Sequence, residues 1–439
     1  MTKEKIHQPA DKKPNRFSRF LKILGPGLIT GAADDDPSGI ATYSQTGAQF
    51  GYGQLWTVIL MYPLMTAVQE ACARVGAVTG KGLAAVVRDY YSKKILYFVV
   101  ALVVIANIIN IGADIGAMAE SMRLIIPISF TYWALIFTFV MLALEVFTSY
   151  SAYAKILKWL SLVLLAYPIT AIIAGQNWPV VLRATFVPHI QLDFGFFFLL
   201  TGVLGTTISP YMFFWQASEE IEEEIEEKRV GQNGGIPKIS KLFLRNLRID
   251  TFLGMLFSEL MTFFIIITAA SVLNANGVTN ISTAADAAKA LEPLVSTFPN
   301  SGLIAKTIFA AGVVGIGLLA VPVLAGSASY ALSEAFHWRE GLSLKFKKAH
   351  GFYGVIIAST LIGLLINFIG IDPIKALVFT AVFNGVTSVP LIFVIARVSN
   401  NEKIMGEHKN TLISTVLLWL TFATMGGSAI IMLASLLIR

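Results

Sequence analysis

Long apolar stretches recur along the whole of this 439-residue sequence, and they exclude most water-soluble folds. A helix needs about 20 mostly apolar residues to cross the hydrocarbon core of a bilayer. Only 14% of the residues are charged, whereas an ordinary soluble domain carries about 25%. Eleven stretches have the required length and composition, at roughly 21–46, 54–75, 95–122, 131–149, 153–174, 194–218, 248–273, 302–335, 351–369, 373–397 and 411–436. The sequence therefore predicts an all-α polytopic membrane protein with eleven transmembrane helices, here called spans 1 to 11.

The charges between the spans predict the orientation of the chain. Lysines and arginines are concentrated before span 1 and in the loops after spans 2, 6, 8 and 10, whereas the loops after spans 1 and 9 contain none. Cytoplasmic loops of membrane proteins carry such an excess of basic residues. We therefore expect a multi-pass protein of the cell membrane with a cytoplasmic N-terminus and, after eleven spans, an extracellular C-terminus.

The same charge distribution indicates which partners to expect. Because the net charge of +6 arises from these basic loops, the lipid bilayer is the expected partner and nucleic acid is not. No obligatory protein partner is inferred. Residues 1–20 are polar and basic and lack the apolar core of a signal peptide, so we interpret them as a cytosolic tail. Residues 21–436 then form a single transmembrane domain.

Two of the spans contain interruptions at corresponding positions. Span 1 includes GAADDDPSGIATYSQ (31–45), and span 6 includes GVLGTTISPYMFFWQ (202–216). Proline removes a backbone donor and disfavours helix at the residue before it. Irregular backbone at membrane depth is tolerated only where it is buried in protein or lines a cavity.

Interrupted helices in two halves of a chain are typical of inverted-repeat transporters, whose substrate site lies between the two breaks. We therefore predict one repeat at about 21–174 and a second at about 194–397, with an extra helix at about 411–436. Two ordinary proline kinks are the simpler alternative. The coincidence of carboxylates at one break and hydroxyl groups at the other favours a substrate site.

The residues at the breaks indicate a hard cation as the substrate. Asp36 supplies negative charge, and unwound backbone around Ala33 and Thr206 supplies carbonyl oxygens. The hydroxyl groups of Thr206 and Ser209 add further oxygen ligands, and none of the five histidines lies in a span. Oxygen ligands without imidazole or thiolate suit a hard cation, and magnesium commonly keeps part of its water shell.

Two motifs resemble a known family. The segments GPGLITGAADDDPSGIATYSQTGAQFGYGQLW (25–56) and LGTTISPYM (204–212) resemble the two broken helices of Nramp-type divalent-metal transporters. The resemblance extends over most of the chain in the number and order of spans. It implies the LeuT-type fold, with broken helices 1 and 6, and transport of manganese or iron(II), usually together with protons.

The sequence departs from the family pattern within these motifs. Asp36 matches the metal-binding aspartate, but Gly39 stands at the position of an asparagine and Ser209 at that of a thioether ligand. Tyr211 and Met212 replace a histidine and a second asparagine. A thioether favours softer transition metals, and loss of the asparagine is expected to leave room for a partly hydrated ion. The chain therefore most resembles the Nramp-related magnesium transporter branch.

The segment that the family uses for proton transfer also differs. In NIGADIG (110–116), Asn110 and Ala113 align with the family's two acidic residues, and Asp114 is the only acid. We therefore predict transport driven by the metal gradient without proton coupling. A shift of the alignment by one residue would leave Asp114 as a proton carrier, and this alternative stays open.

Further polar residues lie near the breaks. Asp34 and Asp35 are interpreted as lining the entry cavity and contacting bound water, with helix capping or an ion pair as the alternative. Asn384 and Gln45 are candidates for contacts to the ion's water, against helix–helix hydrogen bonding. The acidic stretch EEIEEEIEEK (219–228) is interpreted as a solvated extension of span 6.

The preferred function is secondary transport of Mg²⁺, and also Mn²⁺, by alternating access. A proton-coupled Mn²⁺/Fe²⁺ transporter is the main alternative, and a sodium-coupled carrier of organic solutes is a third. An enzyme is not expected, because the sequence contains no nucleophile–base constellation, histidine pair or phosphate loop. No cofactor is predicted beyond the transported ion.

Overall fold

The computed structural model describes residues 26–147, 161–226 and 239–437, and within these ranges it contains helices and no strand. Up to residue 226 the α-helices are α1 (Pro26–Asp34), α2 (Pro37–Phe50), α3 (Trp56–Thr79), α4 (Leu83–Tyr90), α5 (Lys93–Arg123), α6 (Phe130–Phe147), α7 (Ala166–Ile173), α8 (Trp178–Phe186), α9 (Phe194–Thr207) and α10 (Pro210–Glu226). From residue 239 they are α11 (Lys241–Val272), α12 (Ala284–Ala288), α13 (Ser301–Phe336), α14 (His350–Ile366), α15 (Pro373–Ser399), α16 (Glu402–Met405) and α17 (Leu412–Leu437). Short 3-10 helices cover Ser161–Leu165, Asn274–Asn276, Lys289–Val295, Phe346–Lys348 and Gly406–His408.

The all-α prediction is confirmed for the described residues. Seven of their helices, α9 and α10 being taken as one, are long and apolar enough to cross a membrane, and two shorter apolar helices accompany them. Within the described ranges every predicted span coincides with one helix or with two consecutive ones; spans 21–46 and 153–174 begin, and span 131–149 ends, outside these ranges. The count of eleven crossings stays a prediction. The tail at 1–20 lies outside the described residues.

Helices α1 and α2 pack on α11 and run parallel to it, since Gly27, Gly31 and Gly47 approach Thr251, Gly254 and Ile266 in the same order along the chain. A Cβ added at Gly27 would lie 2.6 Å from the backbone nitrogen of Thr251, and one at Gly31 would lie 2.2 Å from the carbonyl oxygen of Gly254. Small residues allow such close approach of membrane helices. The backbone nitrogen of Gly27 also donates to Oδ2 of Asp250, at 2.7 Å.

The remaining walls around the two breaks are formed by α5 and α15. Helix α5 packs on α13, α14 and α15, and α9 packs on α15. The contact between α9 and α15 is a second close backbone approach, because a Cβ at Gly205 would lie 2.1 Å from the nitrogen of Gly385. Both breaks are therefore enclosed by long helices.

The prediction that residues 219–228 are a solvated extension is wrong for the side chains that face the protein. Glu219, Glu220 and Glu224 are 7%, 2% and 1% exposed. Helix α10 packs on α3 and α13, and the Tyr330 hydroxyl of α13 donates to Oε1 of Glu222 at 2.9 Å, so one face of the acidic segment is covered. Within α10, Nε2 of Gln216 donates to Oε1 of Glu220 at 2.9 Å.

Candidate metal-binding site

Span 1 is broken into α1 and α2 where the sequence changes from aspartates to Pro-Ser-Gly. Helix α1 ends at Asp34, and Asp36 is the N-cap of α2 with an extended backbone (φ −62°, ψ 172°). Oδ1 of Asp36 accepts from the backbone nitrogen of Gly39 at 2.8 Å and from the Ser38 hydroxyl at 2.6 Å. Aspartate is among the best N-cap residues, and proline at the first helical position needs no donor. The break thus arises from local sequence.

The second break lies between α9 and α10, at Ile208 and Ser209. The Ser209 hydroxyl lies within hydrogen-bonding distance of two carbonyl oxygens of α9, 2.9 Å from that of Gly205 and 2.7 Å from that of Thr206. The carbonyl oxygen of Ile208 accepts from the Ser388 hydroxyl at 2.7 Å. Side-chain hydroxyl groups therefore satisfy carbonyls that the missing helical turn leaves free.

The two breaks contact each other directly. The Tyr211 hydroxyl donates to the carbonyl oxygen of Ala33 at 3.0 Å, and the hydroxyl oxygens of Ser38 and Thr206 are 3.3 Å apart. The structure thus brings Ala33, Asp36, Thr206, Ser209 and Tyr211 together, as the sequence indicated. Their role as metal ligands stays a prediction.

The space beside Gly39 is smaller than the sequence suggested. A Cβ at this position would lie 3.2 Å from Cε2 of Tyr43 and 3.3 Å from Oγ1 of Thr206. The Tyr43 ring is held there by a hydrogen bond between its hydroxyl and that of Thr207, at 2.8 Å. The expectation that the missing side chain leaves room for water is therefore not met at Gly39 itself, because neighbouring side chains fill that room.

Helix α5 contributes two further polar side chains. Nδ2 of Asn110 donates to Oδ2 of Asp36 at 2.8 Å. Asp114 lies one turn further along α5, fully buried, and in the described part of the chain neither of its oxygens has a hydrogen-bond partner. Asn110 was not among the predicted site residues, although its alignment with an acidic position of the family could have identified it.

The other predicted polar residues face different neighbours. Asp34 accepts a short hydrogen bond from the hydroxyl of Ser258 on α11, which also lies 3.4 Å from Oδ1 of Asp35. Asn384 on α15 is buried, and its Nδ2 has no partner within the described ranges. Gln45 binds the segment after α11 instead of the break: its Oε1 accepts from the backbone nitrogen of Ile281 at 2.8 Å.

The candidate site is closed to solvent. Asp34 and Asp35 are 0% exposed and Asp36 is 1% exposed. A narrow cavity reaches Pro37, and the apolar side chains of Ile40, Phe309 and Ile374 contribute to its lining. No group of three or more His, Cys, Asp or Glu side chains is arranged to hold a metal ion within the ranges described. The structure therefore shows an enclosed pair of helix breaks with Asp36 at its centre.

Comparison with known families identifies the chain. The family model "Natural resistance-associated macrophage protein-like" matches residues 27–435. The chain belongs to the Nramp family. Members of this family are metal transporters and not enzymes, so the prediction that the chain is not an enzyme is confirmed. The predictions of a multi-pass membrane protein and of a transported metal without a cofactor are consistent with this family.

Relatives of this Nramp protein match over most of its length. The "Divalent metal cation transporter MntH" of Klebsiella pneumoniae (strain 342) is 26% identical over 422 residues, which cover 94% of this chain and 93% of that protein. The protein of the same name from Caldanaerobacter subterraneus subsp. tengcongensis is 25% identical over 398 residues, covering 90% and 88%.

Solved structures confirm the fold. The Eremococcus coleocola manganese transporter in complex with an aromatic bis-isothiourea substituted compound superposes with a TM-score of 0.73 at 16% identity, covering 97% of this chain and 88% of that one. Mhp1, a nucleobase-cation-symport-1 family transporter, superposes with a TM-score of 0.59 at 13% identity, covering 94% and 91%. The Nramp chain thus has the LeuT-type fold that these transporters share.

Proposed function

We propose that this Nramp protein is a secondary transporter of divalent metal cations that prefers Mg²⁺ and also carries Mn²⁺. The ion binds between the two helix breaks as a partly hydrated species and crosses the membrane by alternating access. The names of the matched relatives, a divalent metal cation transporter and a manganese transporter, support the substrate class. We further propose a cytoplasmic N-terminus and an extracellular C-terminus, on the distribution of basic loops.

The observation that carries the magnesium preference is the all-oxygen donor set around Asp36. The Ser38 hydroxyl, which donates to Asp36, lies 3.3 Å from the hydroxyl of Thr206, and the Tyr211 hydroxyl connects the carbonyl oxygen of Ala33 to the second break. We propose that Asp36, Ala33, Thr206 and Ser209 supply the oxygen ligands between these contacts. These proposed ligands include no imidazole and no thioether. Such oxygen ligands favour hard cations, and one or two carboxylates plus retained water are the usual pattern for Mg²⁺.

We propose that transport is not coupled to protons, because Asn110 stands beside Asp36. Its amide donates a hydrogen bond to Asp36 and neither accepts nor releases a proton at ordinary pH. Transport would then follow the metal gradient alone.

A proton-coupled Mn²⁺/Fe²⁺ transporter is the second candidate, and Asp114 is the observation that favours it. This carboxylate is buried on the same helix as Asn110 and has no hydrogen-bond partner in the described ranges, so it is available to bind a proton. Asp114 lies one helical turn from Asn110, which donates to Asp36.

Ion uptake into proteoliposomes separates these candidates. The vesicles contain a magnesium-sensitive dye or a pH-sensitive dye, and Mn²⁺ is added outside as a competitor. Saturable Mg²⁺ entry that Mn²⁺ slows, without acidification of the lumen, is expected. Strong Mn²⁺ entry with no Mg²⁺ flux would overturn the magnesium proposal, and lumenal acidification during metal entry would overturn the uncoupled one.

A further inference from the structure

Tyr43 covers the first helix break from one turn further along α2. Its side chain is fully buried. In a helix a long side chain points back over the residue four positions earlier, which here is Gly39. A Cβ added at Gly39 would lie only 3.2 Å from Cε2 of Tyr43. Because Gly39 has no side chain, the ring can approach the turn whose backbone nitrogen donates to Asp36.

The space beside Gly39 lies between the two helix breaks. From the position of the added Cβ, Oγ1 of Thr206 is 3.3 Å away and the carbonyl oxygen of Asp34 is 3.6 Å away. The first of these atoms is a proposed ligand at the second break, and the other belongs to the last residue of α1. The ring of Tyr43 therefore forms one wall of the space between the breaks.

A hydrogen bond to the second break fixes this wall. The hydroxyl oxygens of Tyr43 and Thr207 are 2.8 Å apart. The Thr207 hydroxyl donates to the carbonyl oxygen of Val203, also at 2.8 Å. Because a hydroxyl has a single hydrogen to donate, Tyr43 is the donor in its pair with Thr207. The bond joins α2 to α9 beside the candidate site.

The surroundings of α2 differ between its two faces. The narrow cavity that reaches Pro37 also borders Ile40 and Ala41. At 3.6 residues per turn these three residues lie on the face of α2 opposite to Gly39 and Tyr43. One face of α2 therefore borders a cavity, whereas the Tyr43 ring fills the space at the other.

We propose that Tyr43 is a specificity-determining residue, whose ring limits the size of the ion and water shell that fit at Asp36 and thereby excludes Ca²⁺. The inference rests on the proposed transport of divalent cations and deepens it. Oxygen ligands suit Mg²⁺, Mn²⁺ and Ca²⁺ alike, so the proposed ligands do not by themselves exclude calcium.

The size of the space can make this distinction. Ca²⁺ takes about 6–8 oxygen ligands at roughly 2.3–2.6 Å, whereas Mg²⁺ takes an octahedron of ligands at about 2.0–2.1 Å. Selection between the two ions depends on the size of the cavity and on how flexible it is. A buried aromatic ring, held at its hydroxyl by the second break, supplies a wall of fixed position.

Uptake of each ion by the full chain in proteoliposomes tests this role. Mg²⁺ entry is followed with a magnesium-sensitive dye, and radioactive Ca²⁺ is used in separate vesicles. The measured quantity is the ratio of kcat/KM for Mg²⁺ to that for Ca²⁺. Tyr43→Leu shortens the wall and should lower this ratio about tenfold or more, since small changes in pocket size alter discrimination by about 10- to 200-fold. Tyr43→Met is a second variant of the same kind.

Two further variants separate the volume of the ring from its effect on folding. Tyr43→Phe keeps the ring and should preserve most of the discrimination. Tyr43→Leu combined with Gly39→Ala returns a methyl group to the emptied space, so part of the lost ratio should be restored. If Tyr43 were needed only for stability, the second substitution would add damage and restore nothing.

Tyr353→Leu is the matched control. Tyr353 is also a buried tyrosine whose hydroxyl donates to a carbonyl oxygen, that of Leu344 at 2.8 Å, but it lies on α14, outside the helix breaks. This variant should keep the wild-type ratio. Size-exclusion chromatography checks that each variant is folded.

The other outcomes distinguish this inference from the proposed function. Normal Mg²⁺ uptake with an unchanged ratio in Tyr43→Leu and Tyr43→Met would overturn the role of Tyr43 and leave the proposed function intact. A wild type that carries Ca²⁺ as readily as Mg²⁺ would do the same, as would a ratio that Gly39→Ala lowers further in the Tyr43→Leu background. No saturable uptake of any divalent cation by the wild type would contradict the proposed function itself.

Discussion

The amide of Asn110 holds the carboxylate of Asp36 in place across the interface between α5 and the first helix break. Its Nδ2 lies 2.8 Å from Oδ2 of Asp36, while Oδ1 of the same carboxylate accepts from Ser38 and Gly39. Three donors therefore fix the orientation of Asp36. The side-chain oxygen of Asn110 has no partner in the described part of the chain and remains available to water or ion.

Replacing Asn110 with alanine should weaken metal binding. A hydrogen bond to a charged group contributes about 1.5–3 kcal/mol, so the KM for Mg²⁺ uptake is expected to rise roughly tenfold or more. Asn107→Ala is the matched control, because Asn107 lies one turn earlier on α5 and donates to the carbonyl oxygen of Leu324 at 2.9 Å. Dye-based uptake into proteoliposomes measures both. Equal KM values in the two variants would contradict a positioning role for Asn110.

Replacing Asp36 with asparagine should abolish metal binding between the two helix breaks without unfolding the protein. Asparagine caps a helix as well as aspartate does, so the start of α2 is preserved while the charge is lost. Isothermal titration with MgCl₂ is expected to show no heat of binding, and the melting temperature should be unchanged or higher.

Asp193→Asn is the control for this substitution. Asp193 is the N-cap of α9 and accepts from the backbone nitrogen of Phe196 at 3.0 Å, so it has the same structural role outside the proposed site. It should leave uptake unchanged. Normal Mg²⁺ uptake by Asp36→Asn would place the substrate site elsewhere.

The two helix breaks were predictable because their causes are local. Asp36 is followed by a proline at the first position of α2, and Ser209 is followed by a proline at the start of α10. Caps and prolines act over a few residues, so the sequence alone predicts where these helices stop. That the two breaks lie against each other was expected because inverted-repeat transporters place their broken helices together.

The partners of the polar groups were not predictable, because they depend on how distant segments pack. Asn110 lies 74 positions from Asp36 along the chain, and Ser258 lies 224 positions from Asp34. Likewise, the amphipathic pattern of residues 219–226 does not reveal that the fold buries Glu220. Only the folded chain specifies these contacts.

Replacing Gly31 with alanine should impair closure around the site. The added Cβ would lie 2.2 Å from the carbonyl oxygen of Gly254, so α1 and α11 must separate. Overpacking of this kind costs about 1–3 kcal/mol, and both the melting temperature and the maximal uptake rate are expected to fall. Gly427→Ala on α17, where nothing lies within 4 Å of the new atom, is the control. Unchanged uptake by Gly31→Ala would show that this contact is not needed for transport.

Replacing Ser209 with methionine should shift the metal preference toward manganese. The Ser209 hydroxyl lies at the second break beside the carbonyl oxygens of Gly205 and Thr206, so a thioether at this position would be presented to the same site. Softer ligands favour transition metals over magnesium. We expect the ratio of kcat/KM for Mn²⁺ to that for Mg²⁺ to rise about tenfold, a change of about 1.4 kcal/mol. Ser209→Ala removes the hydroxyl without adding sulfur, and it should lower kcat/KM for Mn²⁺ and for Mg²⁺ to a similar extent. An equal ratio in the methionine and alanine variants would mean that position 209 does not contact the ion, and the magnesium preference would then need another cause.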